Sequence, residues 1–161
     1  MLVVRRPRVR GFTLIEMMTV VVIVAILAAF AVPNFRQFVV NQRVRNASFD
    51  LTATLLLARS QAISENRNVS MVQSGSSGSG WMGGWNVTDG TTILQRNMAV
   101  SGVSISDSAS LSTVTYAPNG RTSTAATRFT VQASPALDGV SPRCVTIALN
   151  GMPSAKTGAC S

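Results

Sequence analysis

The strongest constraint on this chain is a sharp division of charge within its first third. A group of arginines comes first, at Arg5, Arg6, Arg8 and Arg10. No charged residue then occurs between Met17 and Val32. A helix over Phe12–Val32 would rise about 30 Å, since each helical residue adds roughly 1.5 Å, and this matches the hydrocarbon thickness of a bilayer. Because basic residues before such a segment favour the cytoplasmic side, we expect the rest of the chain to be exported.

Glu16 distinguishes three interpretations of this segment. A secretory signal peptide would be cut after a small residue, for example within Ala29-Phe30-Ala31, and a plain anchor would remain uncut. Neither accounts for Glu16, because a carboxylate inside a membrane costs roughly 2.5–3.5 kcal/mol on insertion scales. Cleavage between Gly11 and Phe12 does account for it, because the new amino group would lie close to this carboxylate.

The stretch Gly11-Phe12-Thr13-Leu14-Ile15-Glu16 resembles the processing site of type IV prepilins and type II secretion pseudopilins. The resemblance implies that prepilin peptidase cuts between Gly11 and Phe12 and that Phe12 is then N-methylated. It also implies that Glu16 pairs with the N-terminal amine of a neighbouring subunit during assembly. The implied partners are other major and minor pilins or pseudopilins, the inner-membrane assembly platform, and membrane lipid before assembly.

One long helix is predicted from about Thr13 to about Ser64. Pro33 interrupts the apolar run, and because proline kinks or ends a helix we expect a helix break there, as in many pilins. Beyond it, apolar and small residues recur at helical steps of four and three, at Phe49, Ala53, Leu56, Ser60 and Ile63. This stripe is widened by Leu51, Leu55, Ala58 and Ala62. We expect most of the stripe to pack in the core of a globular head.

From Asn68 onwards, short β-branched runs alternate with turn residues. Seven strands are predicted, over Asn68–Val72, Trp85–Thr88, Thr91–Gln95, Val100–Ser106, Leu111–Ala117, Arg128–Gln132 and Cys144–Leu149. Turn signals that favour hairpins occur at Asp89-Gly90, Asn119-Gly120 and Asn150-Gly151. The stretch Ser74–Gly80 is predicted to be a flexible loop. It lacks the following Gly-Lys-Ser/Thr that a phosphate-binding loop requires.

The order of several loose motifs narrows the resemblance to the GspH/FimT group of pseudopilins and FimU-like minor pilins. The matching stretches are Leu57–Ala62, Trp81–Val87, Ile93-Leu94-Gln95 and Thr113–Arg121. The implied fold is α+β and pilin-like, with a long N-terminal helix whose first half is apolar, packed on a C-terminal antiparallel β head of two small sheets. The expected divisions are a cleaved basic leader (1–11), a transmembrane and filament-core half-helix (12–33), an amphipathic half-helix (34–66) and a β-rich globular head (67–161).

The two cysteines of the chain, Cys144 and Cys160, are expected to form a disulfide. Exported proteins meet an oxidising compartment in which disulfides persist. If Asn150-Gly151 forms a two-residue hairpin loop, Cys144 lies opposite Thr157. The tail must then bend or bulge to bring the two sulfur atoms together.

The positive charge gives limited support to nucleic-acid binding. Formal net charge is +8, but the leader arginines supply half of it, and the remaining basic residues are scattered, whereas phosphate binding needs them clustered. Some FimT-type minor pilins bind DNA through a C-terminal Gly-Arg-x-Arg motif, and Gly151–Ser154 here lacks both arginines. Arg143 and Lys156 are candidate weak DNA contacts. Trp81 and Trp85 could stack on bases, but we expect at least one of them to cover the helix–sheet core.

No catalytic constellation is evident in the sequence. The chain has no His, which is the commonest general base and metal ligand. Two cysteines cannot build a structural zinc site alone. We therefore expect the protein not to be an enzyme and to need no metal or other cofactor.

Taken together, these features predict a minor pilin subunit of a type IV pilus. Such a subunit would join the priming or tip complex of the filament and serve pilus biogenesis, with twitching motility or adhesion as the outcome. The alternatives are a type II secretion pseudopilin and a minor pilin that captures DNA for natural transformation. We expect a single-pass protein of the bacterial inner membrane, with its head in the periplasm before it enters the filament.

Overall fold

The computed structural model describes residues 11–75, 79–123 and 127–160, and only the backbone of residues 31–34. Most of the predicted leader and the middle of the predicted Ser74–Gly80 loop lie outside the described residues. The described elements are one long helix, a short 3-10 helix (Gly80–Gly83) and eight strands. They are α1 (Leu14–Ser64), β1 (Val69–Gln73), β2 (Trp85–Thr88), β3 (Ile93–Asn97), β4 (Val103–Asp107), β5 (Thr113–Tyr116), β6 (Arg128–Ala133), β7 (Arg143–Ile147) and β8 (Pro153–Thr157).

Helix α1 has 51 residues, and its bounds agree with the predicted span to within one residue. The chain forms two compact units, one ending at Arg36 and one beginning at Gln37. In the first unit the side chains from Phe12 to Phe30 are all exposed, and α1 is long and apolar enough there to cross a membrane. The helix assignment runs through Pro33, and the predicted break at that residue stays a prediction.

The second half of α1 buries one apolar set and exposes another. The buried set, called here the inner face, consists of Val44, Ala47, Leu51, Leu55, Ala58 and Ala62. The exposed set, called here the outer stripe, consists of Phe49, Ala53, Leu56, Ser60 and Ile63. The prediction that most of the stripe packs in the core is therefore wrong for the outer stripe, and it is confirmed for the four residues that widen the stripe, Leu51, Leu55, Ala58 and Ala62. Both sets have helical spacing, but the sheets of the head cover only one side of the helix, and they cover the inner face.

The strands form two four-stranded antiparallel sheets. Their orders are β3-β2-β1-β5 and β4-β6-β7-β8. Inward and outward side chains alternate along each strand, so that β6 buries Phe129, Val131 and Ala133. This confirms the predicted α+β, pilin-like fold with two small sheets. The sequence prediction missed β8, because Pro153 opens it and its small polar residues have weak β propensity.

The two Asn-Gly turns share one three-residue hairpin geometry. After β7, the Ala148 N–H donates to the Met152 carbonyl at 3.0 Å, and the Gly151 N–H donates to the Ala148 carbonyl at 2.8 Å. The turn at 117–121 repeats these bonds at 2.9 and 2.8 Å. In the later turn the Asn150 side chain accepts the Met152 N–H at 3.0 Å. The predicted hairpin at Asn150-Gly151 is therefore present between β7 and β8, with a loop one residue longer than the Asn-Gly pair alone suggests. After the Asn119-Gly120 turn the chain makes a single bridge, between Tyr116 and Thr122.

This longer loop shifts the register of the last hairpin by one residue. Cys144 lies opposite Lys156, so the predicted pairing of Cys144 with Thr157 is wrong. The physical reason is that Gly151, at φ 81°, takes the left-handed position that completes a three-residue loop.

Both tryptophans are buried against the helix and the sheets. The Trp81 ring packs edge-on against Phe129, with ring centroids 5.3 Å apart. The Trp85 indole N–H donates to the Thr54 hydroxyl at 3.2 Å, and the Asn97 side-chain N–H donates to the same oxygen at 3.0 Å. The expectation that at least one tryptophan covers the helix–sheet core is confirmed, and the buried hydroxyl of Thr54 anchors Trp85.

Candidate assembly and binding sites

The predicted processing site lies immediately before α1. Gly11 and Phe12 precede the first helical turn, and the Phe12 side chain is 76% exposed. Thr13 and Glu16 form a capping box: the Glu16 N–H donates to the Thr13 hydroxyl at 3.3 Å, and the Thr13 N–H donates to the Glu16 carboxylate at 3.5 Å. Sequence reasoning missed this second role of Glu16, although a Thr-x-x-Glu spacing before an apolar run indicates it.

This arrangement holds a carboxylate about one helical turn from the Gly11–Phe12 bond. A new amino group at Phe12 would lie at the positive end of the helix dipole, where a carboxylate is the favourable neighbour. Glu16 can therefore cap its own helix or pair with an amine, and these two roles make different demands on its charge. Cleavage, N-methylation of Phe12 and pairing of Glu16 with a neighbouring subunit stay predictions.

The outer stripe is a second candidate site. Phe49 is 70% exposed and Leu56 is 39% exposed on a helix that is otherwise well packed on its inner face. Exposed apolar side chains that recur along one face of a helix form a surface against which another chain or a membrane can pack. The stripe is thus suited to an apolar contact with another protein and not to catalysis.

Cys144 and Cys160 form the predicted disulfide, with their Cα atoms 5.0 Å apart. Lys156, not Cys160, is the direct cross-strand neighbour of Cys144, so the tail has to turn back after Thr157. Gly158 makes this turn with φ 109°, which confirms that the tail bends. Closing a loop of this length stabilises the folded state by about 3 kcal/mol in the chain-entropy model.

The two candidate DNA contacts do not come together. Arg143 pairs with Thr157 across β7 and β8, and Cys144 pairs with Lys156. Paired residues share a face of the sheet and successive residues alternate between faces. Arg143 and Lys156 therefore lie on opposite faces of the sheet and do not form one basic patch.

Arg143 instead lines a cleft of about 400 Å³ between α1 and the β7–β8 hairpin. The helix contributes Phe38, Asn41, Gln42 and Arg45. The sheet and the loop before it contribute Gly139, Ser141, Arg143 and Thr157. The lining residues include two guanidinium groups and no carboxylate, so the cleft favours an anionic group.

Hydrogen bonds hold the two walls of this cleft. The Asn41 side-chain N–H donates to the Gly139 carbonyl at 3.2 Å, and the Arg143 guanidinium donates to the Thr157 hydroxyl at 3.3 Å. Sequence reasoning missed Arg45 as the partner of Arg143. No local signal connects these residues, because their proximity depends on the register of β7 and β8 and on which helix face the sheets cover.

Among the described residues, hydrogen bonding shifts the pKa of Asp89 and burial shifts the pKa of Tyr116. The backbone N–H groups of Thr92 and Thr91, and then the Arg67 guanidinium, hold the pKa of Asp89 far below its usual range. Burial raises the pKa of Tyr116 to about 12, so its hydroxyl stays protonated. Asp89 thus caps the turn between β2 and β3. Within the described ranges, no group of three or more His, Cys, Asp or Glu residues is placed to hold a metal ion.

Two family models match the chain. The model described as "Type II transport protein GspH" matches residues 47–151, which is more than half of the chain and covers the second half of α1 and most of the head. The model described as "Prokaryotic N-terminal methylation motif" matches residues 6–32. This second match includes the Gly11–Phe12 bond and Glu16.

Curated relatives match over shorter segments. The chain is 53% identical over 47 residues to the "Type IV major pilin protein PilA" of Myxococcus xanthus, which is 29% of this chain and 21% of that protein. It is 40% identical over 60 residues to a "Fimbrial protein" of Pseudomonas aeruginosa, which is 37% of this chain and 38% of that protein. The chain therefore spans about a fifth to two fifths of the length of these relatives.

Solved structures share the fold. The type IV minor pilin FimU of Pseudomonas aeruginosa superposes with a TM-score of 0.63 at 20% identity, over 74% of this chain and 96% of that chain. The minor pseudopilin EpsH from the type 2 secretion system of Vibrio cholerae superposes with a TM-score of 0.52 at 10% identity, over 73% of this chain and 97% of that chain. At these identities the similarity shows the fold alone.

Proposed function

Because this chain belongs to the GspH family, we propose that it is a minor pilin subunit of a type IV pilus and that it joins the priming or tip complex of the filament. The observation that carries the proposal is the succession of two signatures in one chain. A methylation motif at residues 6–32 directly precedes a GspH head at residues 47–151. The proposed role is structural: the subunit acts by inserting, being processed and packing.

The proposed sequence of events follows the chain from its N-terminus. The basic leader keeps the N-terminus in the cytoplasm while the apolar half of α1 enters the inner membrane. The peptidase cuts between Gly11 and Phe12, and Phe12 is methylated. Glu16 then pairs with the amine of a neighbouring subunit, because a carboxylate in an apolar surrounding gains most from an opposite charge. The head remains in the periplasm until the subunit is drawn into the filament.

The outer stripe supports this proposal. An apolar helix face that the head leaves exposed is costly in water, since each Å² of apolar surface removed from water is worth about 25 cal/mol. Phe49, Leu56 and Ile63 are each more than a third exposed. Folding of the head leaves these side chains exposed, and assembly with other pilins would bury them.

The first test reads the N-terminus of the protein purified from membranes of its native host by mass spectrometry. We expect a mature chain that begins with N-methylated Phe12. A Gly11→Val variant should accumulate uncut, because a β-branched side chain blocks the residue before the cleaved bond. An N-terminus within Ala29–Ala31, or an uncut wild-type chain, would contradict the proposal.

A second test separates the two roles of Glu16. Glu16→Gln keeps a side chain that can complete the capping box but removes the charge, whereas Glu16→Ala removes both. If charge pairing drives assembly, both variants should be inserted and cut and both should be lost from sheared filaments. Asp50→Ala, which removes an exposed carboxylate from the same helix, is the matched control and should assemble. Normal assembly of Glu16→Gln would show that capping, and not charge pairing, is what Glu16 supplies.

A type II secretion pseudopilin is the second candidate function. It is favoured by the description of the family model and by the fold shared with EpsH. Deleting the gene distinguishes the two candidates. Loss of surface filaments with protein secretion intact supports the pilus, and loss of secretion with filaments intact supports the pseudopilus.

A further inference from the structure

The cleft between α1 and the β7–β8 hairpin has no role in processing or in helix packing. We propose that it binds the phosphate headgroup of an anionic membrane lipid while the subunit is still in the membrane. The proposal rests on the proposed function only in assuming this membrane-inserted state. It adds a lipid ligand for a site on the head.

The chemistry of the cleft fits a phosphate. Arg45 and Arg143 both line it, and a guanidinium presents paired N–H groups that match phosphate oxygens. The Thr157 hydroxyl accepts a hydrogen bond from Arg143 at 3.3 Å, and its own proton remains able to donate to an anion. No carboxylate among the lining residues competes for these donors.

The cleft is also held in shape by the fold. Gly139 has φ 78°, and a Cβ at this position would lie 3.2 Å from the Gln37 amide nitrogen. This close approach, with the hydrogen bond from Asn41 to the Gly139 carbonyl at 3.2 Å, fixes the loop before β7 against α1. A volume of about 400 Å³ lies within the usual range for small-ligand sites.

The position of the cleft along the chain favours a lipid. Only five residues separate Val32, the end of the apolar run, from Phe38, so the cleft follows the apolar run closely in the sequence. Anionic headgroups lie directly outside the hydrocarbon core that such a run spans. Phe38 is 65% exposed at the edge of the cleft, and aromatic residues are enriched at membrane interfaces.

The same geometry disfavours double-stranded DNA as the ligand. DNA binding draws its strength from several basic residues that follow a phosphate backbone. Lys156 lies on the other face of the sheet from Arg143, and a concave cleft with two arginines accepts one phosphate group more readily than a continuous backbone.

The test uses the full processed chain in detergent, titrated with phosphatidylglycerol or phosphatidylcholine and followed by native mass spectrometry. The cleft variant carries Arg45→Gln and Arg143→Gln. The charge-matched control carries Arg96→Gln and Arg121→Gln, which are both exposed and do not line the cleft. We expect the wild type and the control to bind phosphatidylglycerol in preference to phosphatidylcholine. The cleft variant should bind it at least about tenfold more weakly, because two charge-assisted contacts are lost.

Several results would overturn the proposal. These are absence of phosphatidylglycerol binding by the wild type, equal binding by the cleft variant, and competition by a short DNA duplex that binds more tightly through the same two arginines. If the double variant fails to fold, Arg45→Glu replaces it, since this side chain is exposed on the helix, and it should abolish the preference by itself. Processing at Gly11 is measured separately, so loss of lipid binding leaves the proposed function standing.

Discussion

The two faces of the second half of α1 have similar chemistry and opposite surroundings. Leu55 lies on the inner face and is fully buried, whereas Leu56, its neighbour in the chain, lies on the outer stripe and is 39% exposed. Phe49, the largest side chain of the outer stripe, is more exposed still. The head therefore folds without burying the outer stripe. One face of the helix packs in the core, and we propose that the other contacts neighbouring chains after assembly.

The largest expected effect comes from substituting the two adjacent leucines. Leu55→Ala should reduce the free energy of unfolding by about 2–5 kcal/mol, because it leaves a cavity in the core. Leu56→Ala should reduce it by less than about 1 kcal/mol, because water already reaches that side chain. Urea denaturation of both variants checks the difference. Equal losses would show that the two faces contribute equally to folding and that the comparison is wrong.

A smaller effect is expected at Thr54, whose buried hydroxyl anchors a tryptophan. Thr54→Val keeps the shape of the side chain but removes the acceptor for the Trp85 and Asn97 N–H groups. Leaving the buried Trp85 N–H unpaired costs about 1–3 kcal/mol, whereas the half-buried Asn97 amide can turn to water, so the free energy of unfolding should fall by an amount in this range. Thr52→Val makes the same change at a half-buried position of the same helix. It is the matched control and should reduce the free energy of unfolding by less.

The effect of Asp89 depends on pH, whereas the effects of the leucines should not. Because the folded pKa of Asp89 lies below its unfolded value, the carboxylate stabilises the fold above about pH 4. This stabilisation is lost as the pH falls through the folded pKa. Asp89→Asn should therefore have a lower Tm than the wild type at neutral pH. The difference in Tm between the two proteins should become smaller as the pH is lowered below 4. A constant gap across this range would contradict the assigned cause.

The smallest effect on stability is expected on the outer stripe. Phe49→Ser should change the free energy of unfolding by about 0.5 kcal/mol or less, as is usual for exposed positions. Its incorporation into sheared filaments should nevertheless fall clearly below that of the wild type. A stable variant that assembles normally would show that the outer stripe is not an assembly contact.

The sequence was informative where the signal is local. Helical periodicity predicted one long helix, and the short β-branched runs between turn residues predicted antiparallel sheets. The arginine-rich start and the apolar run predicted export and with it the Cys144–Cys160 disulfide, whereas the division into two small sheets came from the family resemblance. A one-residue difference in loop length, set by Gly151, was enough to misplace the partner of Cys144. A short strand that opens with Pro153 was missed because its residues have weak β propensity.

The sequence did not predict features that depend on tertiary packing, such as which face of α1 is buried and which residues meet in the cleft. Two sets of residues on α1 repeat with the same helical period, so periodicity alone could not show which set faces the sheets. The pairing of Arg143 with Arg45 in one cleft, and its separation from Lys156, follow from strand register and helix orientation. Neither quantity is encoded in a local pattern.

The proposed assembly requires that the outer stripe become covered when the subunit enters the filament. Its most direct test is the reactivity of a cysteine introduced by Leu56→Cys towards a maleimide, measured in the detergent-solubilised subunit and in sheared filaments. The native cysteines form a disulfide and do not react, and Met98→Cys, at a residue 89% exposed on the head, reports on general access. The account predicts rapid labelling at position 56 in the free subunit and strong protection in the filament. Equal labelling in both states would contradict it.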